Sequence, residues 1–305
     1  MSRKFHMISF CRKCLVPVVA GTLVFASIGG IGIPFAAPQA AIAATTSATY
    51  KLVQTAETMV TAGAKQVDYQ WVSSNASETT QLVHVLQIDL TNPYVQLNAM
   101  SGKASTVTTK QSTGGMAKET GAVAGINGDV FNTSSSSEGT AFGAVIQSGE
   151  LLTSTSQLEG MYAFAVTKDR QPMIDLFTFT GMATAEDGTS FALSGINKSS
   201  YRTEPDNGYS HVNKLYIYTD NWTASQRPMN SGTTPTEALV VDGIVTEIAV
   251  DSQIATAIPA NGYILRGHKE AADFIKNHLA IGQRVDSTYQ LVSQTSGASY
   301  DPTSF

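Results

Sequence analysis

After residue 65 the chain repeats one pattern, short apolar alternation cut by turn dipeptides, and that pattern limits its fold more than any other feature. Ala141 to Ile146 and Glu150 to Leu152 flank Ser148-Gly149, and Tyr162 to Val166 and Pro172 to Phe177 flank Lys168-Asp169. Met182 to Ala185 and Ser190 to Leu193 flank Asp187-Gly188, and Ala238 to Val241 and Ile244 to Val250 flank Asp242-Gly243. Glycine after Asp or Ser supplies the positive φ of tight hairpins, so this spacing predicts a meandering antiparallel sheet. Gln81 to Leu90 alternates in the same way, and Asn92-Pro93 then turns the chain into Tyr94 to Ala99. Helices are few. Thr108 to Thr120 is a short candidate weakened by Gly114-Gly115. Lys269 to Leu279 places Ala271, Ala272, Phe274, Ile275 and Leu279 on one face, with Gly282 just beyond. The predicted class is α+β, a mostly antiparallel meandering sheet with few helices.

The first fourteen residues carry Arg3, Lys4, Arg12 and Lys13 and no acid, and no charged side chain follows until Lys51. A basic start, a long apolar stretch and the small-residue ending Ala41-Ile42-Ala43-Ala44 form the pattern of a cleaved signal peptide, residues 1–43. The competing reading is a retained anchor, because Leu15 to Phe35 is long enough to span a bilayer. Gly29, Gly30, Gly32, Pro34 and Pro38 favour a segment that breaks before the cleavage site. The domain reading is a lead-in at 44–59 and one domain at 60–305. Location is expected to be secreted or cell-surface, of bacterial type, with no stable membrane association after cleavage.

Cys11 and Cys14 both lie in the leader, so the mature chain has no thiol and relies on core burial. Loss of the leader's four bases, with no acid, takes the net charge from −5 to −9. That balance disfavours nucleic acid as a partner. It leaves room for an anionic ligand wherever a local basic group outweighs the overall sign.

Gly121-Ala-Val-Ala-Gly-Ile-Asn-Gly-Asp-Val-Phe131 is the most informative stretch. An apolar run, Ala122 to Ile126, reads as a strand delivering Asn127, Gly128 and Asp129 at its carboxyl end, ahead of a small polar loop. Asn and Asp around a Gly can aim polar groups at one small ligand while the backbone approaches it closely. The plainer alternative is an Asn-Gly turn in which both side chains bond nearby amides. Of the histidines, His84, His211, His268 and His278 are scattered, and the ten-residue spacing of His268 and His278 does not suit a shared metal. No metal site and no cofactor are read from the sequence.

Val123 to Phe131, followed by Phe142-Gly143-Ala-Val-Ile-Gln-Ser-Gly-Glu-Leu151, resembles the front half of the phosphodiester glycosidase family. That domain belongs to the enzyme that uncovers mannose 6-phosphate by removing N-acetylglucosamine. Further similarities follow in order: Gly195-Ile-Asn197, Leu215 to Thr219 with Trp222, Val241-Asp-Gly243, and Ile258 to Gly262 leading to Leu265 and Gly267-His268. The resemblance implies hydrolysis of a sugar joined through its anomeric carbon to a phosphodiester. On it, Asp129 is the catalytic candidate, and Asn127, Gly128, Phe131, Gly143 and His268 are substrate-binding candidates. Val130 replaces the first aromatic of the family's motif.

Glycoside cleavage passes through an oxocarbenium-like state that carboxyl groups stabilise and protonate, so a carboxylate here makes chemical sense. The family's arginine segment and Asp-Gly-Gly-Gly-Ser-like motif do not appear. The expectation is therefore a chain truncated at its C-terminus, with little or no glycosidase activity in these 305 residues. The alternative is a non-catalytic surface module that binds carbohydrate or serves as structure on the same scaffold. The expected partner in either case is a carbohydrate or glycosyl phosphate.

Overall fold

A computed structural model describes residues 49–75, 80–133, 139–155, 160–203, 205–228 and 233–305. The expected leader, the polar loop from Ser134 to Ser137 and the acids Glu138 and Glu204 lie outside the described residues.

The chain begins with β1 (Tyr50–Thr61), β2 (Ala64–Ser73) and β3 (Gln81–Ile88), a three-stranded antiparallel sheet in that order. Most of the stretch expected as a lead-in is thus strand, and the unit to which it belongs runs from Ala48 to Phe305. The turn at Asn92-Pro93 forms, but Tyr94 to Ala99 is not a strand.

Helix α1 (Thr113–Thr120) has no buried residue and depends on its ends. The Ser112 hydroxyl accepts the Gly115 N–H, and Gly121, at φ 70°, closes the helix in the left-handed region. The expected strand Ala122 to Ile126 does not form. The run leaves the helix as irregular chain, with Val123 and Ile126 exposed, and its first ladder contact is the bridge from Phe131 to Ala141. A short apolar run becomes a strand only where another strand offers it hydrogen bonds, and among the described residues none pairs with this one.

Two small hairpins follow, β4 (Val145–Gln147) with β5 (Glu150–Thr153), and β6 (Ala163–Val166) with β7 (Pro172–Asp175). The main sheet is built from β8 (Phe177–Ala185), β9 (Ser190–Ile196), β10 (Leu215–Tyr218), β11 (Pro235–Val241), β12 (Ile244–Ala249), β13 (Gly262–His268), β14 (Val285–Ser293) and β15 (Ser299–Tyr300). Its order is β12-β11-β13-β10-β9-β8-β14-β15. Every neighbouring pair is antiparallel except β9 with β10, which run parallel. The sheet-dominated α+β class read from the turn pattern is the observed one. At Asp242-Gly243 both residues have positive φ, 50° and 75°, the backbone of a tight hairpin whose twist matches its strands.

The central strands are buried on both faces. On one, Leu215, Ile217, Ala238, Val240 and Leu265 pack with Ala271, Phe274 and Ile275 of α2 (Glu270–His278). A Cβ on Gly267 would lie 2.4 Å from the Ala271 carbonyl, so the absent side chain is what lets α2 seat on β13. On the opposite face, Tyr216, Tyr218, Leu239 and Ile264 pack with Leu152, Trp222 and Ile254. That second face also carries the buried polar groups that lead to the candidate site.

Candidate functional site

The loop that ends in Phe131 folds back along α1. Thr113, the first residue of the helix, donates its hydroxyl to the Asn127 side-chain oxygen at 2.5 Å. The side-chain NH₂ of Asn127 has no partner among the described residues, and Asn127, Gly128 and Phe131 are exposed. Two residues on, both Asp129 oxygens accept backbone amides: Oδ1 from Val130 and Oδ2 from Gly143, each at 2.7 Å. A Cβ on Gly143 would sit 2.7 Å from Oδ2, so a residue without a side chain is what permits this approach.

The other side of the same backbone is held by Lys198. Its ammonium donates to the carbonyls of Phe142 at 2.8 Å and of Ala141 and Ser154 at 3.2 Å, which occupies all three of its protons. Burial pulls this ammonium's pKa down to about 7, and the Asp129 carboxylate acts in the opposite direction.

Lys198 itself is fixed by the end of the parallel strand pair. Asn197 is fully buried with φ 48°. Its side-chain NH₂ donates to the Leu152 carbonyl and the Thr219 hydroxyl, and its side-chain oxygen accepts the Thr219 N–H. The Lys198 carbonyl accepts the Tyr218 hydroxyl at 2.8 Å. With that proton committed, Tyr218 accepts from His211 Nε2, leaving His211 Nδ1 to accept from the Ser210 hydroxyl. His211 is thereby a neutral imidazole stacked 3.9 Å from the Tyr216 ring, and burial pulls its pKa down to about 3.

Farther along the same face, Glu237 lies between two arginines. Its Oε1 accepts from Arg227 Nε at 2.8 Å and Arg266 Nη1 at 2.5 Å; its Oε2 accepts from Arg227 Nη2 and the Ile254 N–H, each at 2.7 Å. All three side chains are buried and together carry one excess positive charge. His268 follows two residues after Arg266 on the same strand face. It is fully buried, its Nδ1 bonds the Thr233 hydroxyl, and its Nε2 has no hydrogen-bond partner among the described residues. Burial pulls its pKa down to about 4.

Of the residues singled out from the sequence, Asp129, Gly143 and Phe131 come together through one carboxylate–amide bond and one β-bridge. Asn127 and Gly128 lie on the exposed approach to them. His268 is elsewhere: it belongs with the Arg266–Glu237 group and, with no exposed surface, cannot touch a ligand in this arrangement. His84 and His278 are paired with Asp68 and Asp187. Among the described residues no group of three His, Cys, Asp or Glu side chains is placed to hold a metal ion.

Sequence reasoning missed Lys198 and the arginine–glutamate group. A signal for the latter existed, since Glu237 and Arg266 are each a lone charge inside an apolar strand. Lys198 was hidden in Asn197-Lys198-Ser199, which reads as a glycosylation sequon.

A buried ammonium and a half-exposed carboxylate thus hold one peptide unit from its two ends. No protein-family model matches the chain, and no curated protein matches it in sequence. Similar solved structures include BPSS2145 of Burkholderia pseudomallei K96243, a protein provisionally described as exported. It has a TM-score of 0.64 and 14% identity over 83% of this chain and 71% of that one. A hypothetical protein from Synechocystis has a TM-score of 0.62 and 16% identity over 83% of this chain and 47% of its own. This chain therefore spans just under half of the Synechocystis protein. At such identities the likeness establishes the fold. No helix among the described residues is long and apolar enough to cross a membrane.

Proposed function

We propose that this is an exported protein of phosphodiester-glycosidase type whose Asn127–Phe131 loop receives a sugar joined through its anomeric carbon to a phosphodiester. Export is supported by the basic, apolar, alanine-ended leader and by the description of the Burkholderia protein as exported. The observation that carries the site is the seating of Asp129 on Gly143, 2.7 Å from its amide, in a loop whose residues Asn127 and Phe131 are exposed.

Both Asp129 oxygens accept N–H bonds, so the group is arranged as an acceptor. It is suited to stabilising positive charge at the anomeric carbon rather than to giving a proton to the leaving oxygen. Asn127 donates to a sugar hydroxyl or phosphate oxygen, and Phe131 offers an apolar surface to the sugar ring.

The same bonds also favour a second reading, a carbohydrate-binding module without chemistry. Among the described residues no second carboxylate bonds Asp129, and the Asn127 oxygen is already occupied by Thr113. One experiment separates the two. The methyl phosphodiester of N-acetylglucosamine 1-phosphate is incubated with the protein, and both binding and release of free sugar are measured. Release that disappears in Asp129→Asn while binding remains supports the enzyme. Binding without release supports the module. Absence of both binding and release contradicts the proposal.

A further inference from the structure

We propose that Lys198 is the positioning residue of the Asp129 site, clamping the Phe142–Gly143 peptide by its carbonyl while Asp129 takes the amide of the same unit. The inference rests on the reading of Asp129 as the site carboxylate, and it adds a charge partner and a pH dependence to that reading.

Two observations and one general principle combine. The Phe142 carbonyl accepts from Lys198 at 2.8 Å, and the Gly143 amide donates to Asp129 at 2.7 Å, so cation, peptide and anion form one chain. A peptide whose oxygen is bonded by an ammonium is a better donor at its nitrogen, because hydrogen-bond chains polarise one another. The cation cannot follow a loosened loop. Asn197 is latched to Leu152 and Thr219, Tyr218 holds the Lys198 carbonyl, and Ser154 exchanges bonds with Ile196 of the main sheet. Lys198 thus fastens an irregular loop to rigid strands.

The pair matters for the ligand too. Together Asp129 and Lys198 are neutral, so an anionic phosphodiester approaching Asp129 meets no net charge from them. Without its proton, Lys198 has two donors for its three carbonyls and turns a lone pair on the one left over. That loosens the Phe142 clamp and leaves Asp129 as an uncompensated anion. The titratable groups facing Lys198 from the surrounding elements are Asp129, whose carboxylate favours the charged lysine, and His211 and Tyr218, both neutral and hydrogen-bonded to each other. Burial places the proton loss near pH 7.

The test compares wild type, Lys198→Arg, Lys198→Met and Asp129→Asn from mildly acidic to alkaline pH. It follows the hydrogen-exchange protection of the Gly143 amide and the affinity for the N-acetylglucosamine methyl phosphodiester. In wild type, protection and affinity should each fall about tenfold as pH rises through 7, the change expected when one charged partner is lost. Lys198→Arg, which keeps its charge, should hold both flat, and Lys198→Met should show the alkaline behaviour at every pH. Protection that is unchanged with pH in wild type, or an arginine variant that behaves like the methionine one, overturns the assignment. If Lys198→Met does not fold, wild type against Lys198→Arg decides. If the ligand binds no variant, wild type included, yet Gly143 protection follows the predicted profile, the ligand reading fails and the positioning role stands.

Discussion

Lys198 and Asp129 hold opposite ends of a single peptide unit, the lysine through the Phe142 oxygen at 2.8 Å and the aspartate through the Gly143 nitrogen at 2.7 Å. One side chain leaves the end of a strand pair in the main sheet and the other stands on an irregular loop. The peptide between them therefore joins the rigid part of the molecule to the part that meets solvent.

Gly143→Ala tests this joint by shape. The new methyl would overlap Asp129 Oδ2, and forcing extra volume into a filled site typically costs about 1–3 kcal/mol. We expect a modest loss of stability in urea unfolding and a larger loss of sugar-phosphate affinity. Unchanged affinity would mean that the seating of Asp129 on Gly143 has no part in binding.

His211 predicts an acid limb. It stays neutral in the folded protein to about pH 3, whereas in the unfolded chain it takes up a proton near its ordinary value of 6.5. Between these values the unfolded state binds more protons, so stability falls as pH drops from 6.5 toward 3, with a steepest slope of about 1.4 kcal/mol per pH unit from this residue. Denaturant midpoints over that range should show the slope, and His211→Gln should flatten part of it. Parallel acid limbs in the two proteins would remove His211 from the account.

Glu237 is the pivot of the buried ion group. Glu237→Gln removes the carboxylate that Arg227 and Arg266 share, and breaking such a buried pair from one side costs about 3–5 kcal/mol. Thermal unfolding should move far below wild type or show no folded baseline. A shift of a degree or two would indicate that water reaches the arginines.

Much of the sheet could be read in advance because hairpin chemistry is local. Ser148-Gly149, Asp187-Gly188 and Asp242-Gly243 each turn the chain between paired strands, whatever the rest of the molecule does. What sequence could not supply was partnership across distance. The apolar run Ala122 to Ile126 looked like a strand, yet no described strand accepts it. Tyr50–Thr61 lacks a clean alternation, yet becomes β1 because β2 lies beside it. The parallel pairing of β9 and β10 leaves no local mark. Asn127, Asp129 and Gly143 were legible as a polar cluster around glycine. Lys198 was not, since its role comes from burial against Ala141, Phe142 and Ser154, far from it in sequence.

The central claim is that the exposed Asn127–Phe131 loop receives a sugar phosphate. Calorimetric titration of the N-acetylglucosamine methyl phosphodiester into wild type and Asn127→Ala at neutral pH tests it most directly. The account predicts saturable binding by wild type and about tenfold weaker binding by the variant, the loss expected for a hydrogen bond to a charged group. No saturable heat with wild type, or equal affinity for both proteins, would contradict it.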